Sequence, residues 1–182
     1  ARGLPSPGPL GYGLLLLGLA VADALLLRLW VAADAAAVAV GYVLRAAGGA
    51  ASLQLQPSRW LVICTFLLGL FVGLGRHAWR PHPDSRRPGS RRPDVQRAAG
   101  LCGALAVAAY VLYTLSPDTE ASLGSRDLLW TAPLVALLVA RHREHIRLAF
   151  GRDPLSLALR DKLALGAFML WFYGILYVIY RR

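Results

Sequence analysis

An all-α, polytopic transmembrane bundle of about six helices is the fold class the sequence predicts, and three observations predict it. The first is composition: 57% of the 182 residues are hydrophobic and 16% are charged, against about 25% charged in a typical globular chain. The second is arrangement, because the charges cluster between apolar runs close to membrane-spanning length, about 17 to 25 residues. The third is the pattern inside those runs, which lacks the strict alternation of a membrane barrel strand. An unclosed strand in lipid would leave its backbone groups unpaired. The runs fill more than half the chain, so residues 1–182 are read as a single transmembrane domain.

The candidate spans are Leu10 to Leu27, Leu29 to Leu44, Trp60 to Gly75, Ala98 to Leu115, Leu128 to Ala140 and Leu163 to Tyr180. The first carries Asp23, a carboxylate expected to hydrogen-bond between helices. In the second, Asp34 follows the interfacial Trp30 and precedes Ala35-Ala36-Ala37; it is either a favourable acid in the first turns of its helix or a buried polar group with a partner. Arg45 lies eleven residues further on, about three turns away, so the two share a face near opposite ends and do not pair directly. The third and fourth spans contain Cys64 and Cys102, read as small hydrophobes rather than as a disulfide framework. The fifth is short, with Trp130 and Pro133 near its start, and either extends to Ile146 or enters at a tilt. The sixth is apolar almost to the C-terminus.

Twenty Lys and Arg stand against ten Asp and Glu, a net charge of +10. Nucleic acid is not the partner this implies, since the basic residues fall at the ends of apolar segments with no interleaved aromatic stripe. Anionic lipid or phosphate fits better. The connection from Arg76 to Arg97 holds seven Arg, four Pro and Gly89 and is expected to be irregular. Counting Lys and Arg on the two sides of the membrane gives six against fourteen. The positive-inside rule makes the richer side, with the 76–97 and 141–162 connections, cytoplasmic.

Two strings carry the chemistry that can be read directly. In Gly75-Arg76-His77-Ala78-Trp79-Arg80, Arg76 and Arg80 are four apart and share a helix face if the helix continues. Their guanidinium groups then clamp a phosphate or diphosphate through bidentate hydrogen bonds; the alternative is a positive-inside cluster with an interfacial Trp. Arg141-His142-Arg143-Glu144-His145-Ile146-Arg147 reads as a basic helix at the membrane surface or as an anion site, and its arginines argue against a metal between His142 and His145. No Walker loop, nucleophile elbow or zinc-ligand set is present. No metal ligand and no catalytic base are assigned.

The order of segments resembles the C-terminal two-thirds of the UbiA superfamily of intramembrane prenyltransferases, and within it the decaprenyl-phosphate phosphoribosyltransferase branch. The resemblance rests on Asp34, the stretch Gly41-Tyr42-Val43-Leu44-Arg45-Ala46-Ala47-Gly48-Gly49-Ala50, and Ser58-Arg59-Trp60 with the apolar run to Phe71. It continues through Tyr110-Val111-Leu112-Tyr113-Thr114-Leu115-Ser116, Pro133-Leu134-Val135, Arg141, Gly151-Arg152-Asp153-Pro154 and Leu159-Arg160-Asp161-Lys162. It implies the fourth to ninth helices of a nine-helix fold, in a bacterial inner membrane. The implied activity is transfer of a phosphoribosyl group from phosphoribosyl diphosphate to polyprenyl phosphate, with Mg²⁺ neutralising the leaving diphosphate. On this resemblance Arg45 and Arg152 join Arg76, His77 and Arg80 as substrate-binding candidates.

The family's first Asp-rich motif, Asn-Asp-x-x-Asp, would precede Ala1, so the chain is expected to be part of a longer protein and inactive without an N-terminal half. At the second motif position the branch has a basic run ending in His-Glu, and the Glu is not matched here. The competing expectation is a non-enzymatic membrane protein that binds anionic lipid or scaffolds a partner through its Arg-rich loops.

Overall fold

The computed structural model describes residues 8–25, 30–52, 58–78, 93–117, 127–148 and 161–181. These residues form six helices and no strand: α1 (Pro9–Leu25), α2 (Val31–Ser52), α3 (Arg59–His77), α4 (Pro93–Thr114), α5 (Ala132–Leu148) and α6 (Lys162–Tyr180). A 3-10 turn, Asp127–Thr131, leads into α5.

The helices follow the apolar runs, and polar residues set their ends. α2 continues past Leu44 to Ser52 because alanines, the strongest helix formers, carry it through Gly48-Gly49. Its last hydroxyl, Ser52 Oγ, donates to the Gly48 carbonyl at 2.9 Å. Ser58 caps α3, its Oγ accepting from the Leu61 N–H at 3.0 Å. α4 begins at Pro93, ahead of the expected Ala98. Proline lacks the N–H that would have no partner in a first turn, and Asp94 beside it suits the positive end of the helix. The end of the connection expected to be irregular is therefore helical, while residues 79–92 lie outside the described residues. α5 runs on to Leu148, in line with an extension of the fifth span to Ile146, so the basic string Arg141 to Arg147 is the last part of the fifth helix.

The chain divides into two compact units, residues 1–74 and 75–182. In the first, α1 packs antiparallel on α2: a Cβ placed on Gly48 would stand 3.3 Å from Tyr12 Cβ, and one on Gly41 would stand 3.8 Å from Leu19 Cδ2. α2 and α3 meet more closely. A Cβ on Gly69 would stand 2.6 Å from Ala39 Cα, and one on Gly73 would stand 2.8 Å from Ala35 Cα. Glycine one turn apart on α3 and alanine one turn apart on α2 thus let two backbones touch, the arrangement small residues permit between membrane helices.

The second unit joins the last residues of α3 to α4, the 3-10 turn, α5 and α6. One hydrogen-bonded chain crosses it. Trp171 Nε1 donates to Tyr110 Oη at 3.3 Å, Tyr110 Oη lies 2.7 Å from Thr131 Oγ1, and Thr131 Oγ1 donates to the Leu128 carbonyl at 2.6 Å. Because the Thr131 proton goes to that carbonyl, the Tyr110 proton goes to Thr131.

α2, α3 and α4 are long and apolar enough to cross a membrane. The 22 residues of α2 span about 33 Å, against a hydrocarbon core of about 30 Å. α1 and α6 contain shorter apolar stretches, Leu10–Asp23 and Lys162–Val178. Leu14, Leu17, Leu101, Leu105, Leu112 and Leu170 are exposed, while alanine dominates the buried set. Large apolar groups outside and small ones inside suit a lipid solvent, where contact between helices depends on close packing rather than on escape from water. The chain is a helical membrane protein.

Candidate functional site

Most of the described basic side chains of the second unit lie at one end, where α3 and α5 finish and α4 and α6 begin, with Arg181 at the other end of α6. Glycine makes two of the contacts possible. A Cβ on Gly75 would stand 2.6 Å from Ile146 Cδ1 and 3.9 Å from His142 Nε2, so the end of α3 lies directly against α5. A Cβ on Gly100 would stand 3.3 Å from Arg143 Nε and 3.5 Å from its Cζ, so that guanidinium lies across α4.

Of the predicted Arg76–Arg80 phosphate clamp only Arg76 lies among the described residues. Arg76 is exposed in the last turn of α3, and His77 is 2% exposed. Arg45 belongs to the first unit. Its guanidinium folds back along α2, with Nη1 3.3 Å from a Cβ position on Gly41 and Cζ 5.9 Å from the Tyr42 ring centroid, a cation–π contact. Arg80 and Arg152 lie outside the described residues. Of the five candidate positions, the structure thus places Arg76 and His77 side by side at the basic end.

Asp161 holds the ends of α5 and α6 together. Its Oδ2 accepts from Arg141 Nε at 2.8 Å and from His145 Nε2 at 2.9 Å, with Arg141 Nη2 also at 2.8 Å. Its Oδ1 caps α6, accepting from the N–H groups of Leu163 at 3.0 Å and Ala164 at 3.2 Å. Burial pushes the Asp161 carboxyl upward, but the Ala164 N–H and the Arg141 and His145 hydrogen bonds outweigh it and hold the group below the usual carboxylate range. Burial, and then the neighbouring His145, pull the His142 imidazole below its ordinary value. The basic end therefore favours a neutral His142 and an ionised Asp161.

Between the first turns of α4 and the last turns of α5 lies a cavity of about 290 Å³ lined by Gln96, Arg97, Gly100, Arg143, Ile146 and Arg147. Sequence reasoning placed Arg97 at the end of an irregular connection and missed this grouping, because Arg143 and Arg147, four apart on α5, meet Arg97 only through the antiparallel packing of α4 on α5. The role of Asp161 did have a sequence signal: an Asp directly before an apolar run is a helix-start signature.

Mg²⁺ takes oxygen ligands, most often one or two carboxylates together with substrate phosphates. Among the described residues no three His, Cys, Asp or Glu side chains converge on a metal position, and both oxygens of Asp161 are taken by hydrogen bonds. The described side chains do not fit Mg²⁺ by themselves. Comparison with protein-family models, with curated proteins and with solved structures found no match to this chain. Fold and site define a helical membrane protein whose second unit carries a concentrated basic end.

Proposed function

We propose that this chain forms part of a membrane transferase that moves a phosphoribosyl group from phosphoribosyl diphosphate to polyprenyl phosphate. The observation that carries the reading is the contact of Gly75 with Ile146 and His142. It sets Arg76 and His77 beside the basic end of α5, where a substrate bearing phosphate would meet several cations at once. The order of motifs that resembles the UbiA superfamily supplies the reaction. In this reading exposed Arg76 meets the donor diphosphate, with Arg80 and Arg152 as further phosphate contacts; His77 is buried beside Arg76 and Arg45 belongs to the first unit, so neither is assigned a contact, and developing negative charge on the leaving diphosphate is stabilised electrostatically. Mg²⁺, which the described side chains do not hold by themselves, would come to this reading only with the diphosphate. The excess of Lys and Arg on one side supports an orientation with the basic end toward the cytoplasm of a bacterial inner membrane.

The test is transfer from labelled phosphoribosyl diphosphate to polyprenyl phosphate in membranes containing this chain, alone and together with a supplied segment bearing an Asn-Asp-x-x-Asp motif. Transfer in either arm, lowered by Arg76→Ala through a higher donor KM or a lower kcat, supports the proposal. Correct insertion with no transfer in both arms overturns it. A non-enzymatic protein that binds anionic lipid is the second reading, favoured by the exposed arginines around the α4–α5 cavity.

A further inference from the structure

We propose that the cleft between the first turns of α4 and the last turns of α5 is a binding site for a phosphate group, held by Arg97, Arg143 and Arg147. None of these three belongs to the donor-binding set above, so the site stands or falls independently of the transferase reading.

Charge is the first argument. The cleft is lined by three arginines and by no carboxylate. The nearest acid on α5, Glu144, reaches only Arg147, at 3.4 Å on an exposed pair, and such surface pairs contribute little. Among the described residues no carboxylate pairs with Arg97 or Arg143. Like charges facing one another across a concavity repel more strongly than in open water, because the low-dielectric wall screens them less. An anion in the cleft removes that repulsion.

Geometry is the second argument. Guanidinium forks match phosphate oxygens in pairs, and Arg143 is laid flat against α4 by Gly100, which has no side chain to push it away. Pro93 and Gln96 of the first turn of the 22-residue helix α4, and Arg97 just after them, border the same space, while Asp94 occupies the positive end of that helix, so the arginines carry the charge of the site. At about 290 Å³ the cavity is many times the roughly 30 Å³ share of one water in the liquid, so it admits a phosphate with part of the group that it esterifies. Ile146 supplies an apolar wall for that part. A lipid headgroup and a soluble phosphate present the same chemistry to these residues.

The experiment uses the full chain purified in a neutral detergent. Thermal midpoints are followed while inorganic diphosphate or phosphatidylglycerol is titrated, with diacylglycerol as the phosphate-free control. Arg97→Gln/Arg143→Gln removes two charges; Gly100→Leu keeps every charge but displaces Arg143; Arg181→Gln is the charge control at the other end of α6. The expected result is saturable stabilisation by at least one phosphate ligand, with the apparent Kd weakened tenfold or more in both cleft variants and unchanged in Arg181→Gln. Loss confined to phosphatidylglycerol assigns the site to a lipid headgroup, and loss with diphosphate assigns it to a soluble phosphate. Stabilisation that persists unchanged in the Gln pair, or stabilisation by neither ligand, overturns the proposal. Circular dichroism checks folding, and if Gly100→Leu does not fold, the exposed Gln pair decides.

Discussion

Arg141 and Asp161 form a forked ion pair in which two guanidinium nitrogens of α5 converge on a single carboxylate oxygen at 2.8 Å. The other oxygen of Asp161 caps α6, so one carboxylate fixes both the start of a helix and its position against its neighbour. Asp161→Ala is expected to cost about 1 kcal/mol for the cap. About 1 kcal/mol more comes from the pair, kept low because Arg141 is more than a third exposed. Asp161→Asn keeps a good cap and should lose only the second part. Unfolding of the detergent-dispersed protein with increasing sodium dodecyl sulfate measures both; equal losses in the two variants would remove the capping role.

Acid should weaken the second unit in two stages. The fold holds His142 below its ordinary value, so the unfolded chain binds the extra proton first. Stability is then lost as pH falls below about 6.5, the ordinary imidazole value. Asp161 is also held down, so its contribution is fully present above about pH 4 and fades as pH falls toward its depressed value. Both groups act with the same sign in separate windows. His142→Gln should flatten the upper stage and leave the lower one, as read from thermal midpoints across pH 3 to 8, a range set by those reference values. An unchanged upper stage would assign it to another group.

Gly73 and Gly49 should respond in opposite ways to added side chains. A Cβ on Gly73 would meet Ala35 Cα at 2.8 Å, backbone that cannot yield, whereas Gly49 has nothing within 4 Å. Gly73→Leu is expected to destabilise the first unit by about 3 kcal/mol, at the upper end for overpacking. Gly49→Ala should gain up to about 1 kcal/mol from helix propensity alone. The contrast is read in sodium dodecyl sulfate unfolding of the two variants, and a similar response in both would contradict the α2–α3 contact.

What the sequence reveals depends on whether a feature is local. Six helices are legible because apolar runs near bilayer length separate the charges, and Trp60 to Gly75 and Leu163 to Tyr180 agree with α3 and α6 to within a residue or two at each end. The end of α2 is not legible, since Ala46-Ala47-Gly48-Gly49 contains no stop stronger than the alanines that favour continuation. The start of α4 is hidden for a different reason: Pro93-Asp94 is a good helix opening placed directly after an Arg- and Pro-rich stretch. The place of Arg76 and His77 at the end of a span was legible. The grouping of Arg97 with Arg143 was not, since they are 46 residues apart in the chain and share a cavity only through the antiparallel packing of α4 on α5. The folding back of Arg45 over Gly41 is likewise invisible to a count of charges.

The chain of hydroxyls and indole through Tyr110 is a last feature that neither composition nor spacing announces. Tyr110 accepts from Trp171 and donates to Thr131, whose own proton goes to the Leu128 carbonyl. Tyr110→Phe keeps the ring but removes both bonds and leaves the part-buried indole N–H of Trp171 without its acceptor. Interhelical hydrogen bonds in membranes average about 0.6 kcal/mol, with a maximum near 1.7, so losing both is expected to cost about 1 to 2 kcal/mol. Thr131→Val removes only the Tyr110–Thr131 bond and the turn contact, leaving the Trp171 bond intact, and so separates two structural roles. Trp171 sits at the acceptor-dependent end of the chain, and its fluorescence should shift in Tyr110→Phe but not in Thr131→Val. With the other four tryptophans replaced by phenylalanine, that shift isolates the α4–α6 bond from general loosening, and its absence would mean that the indole is held by packing alone.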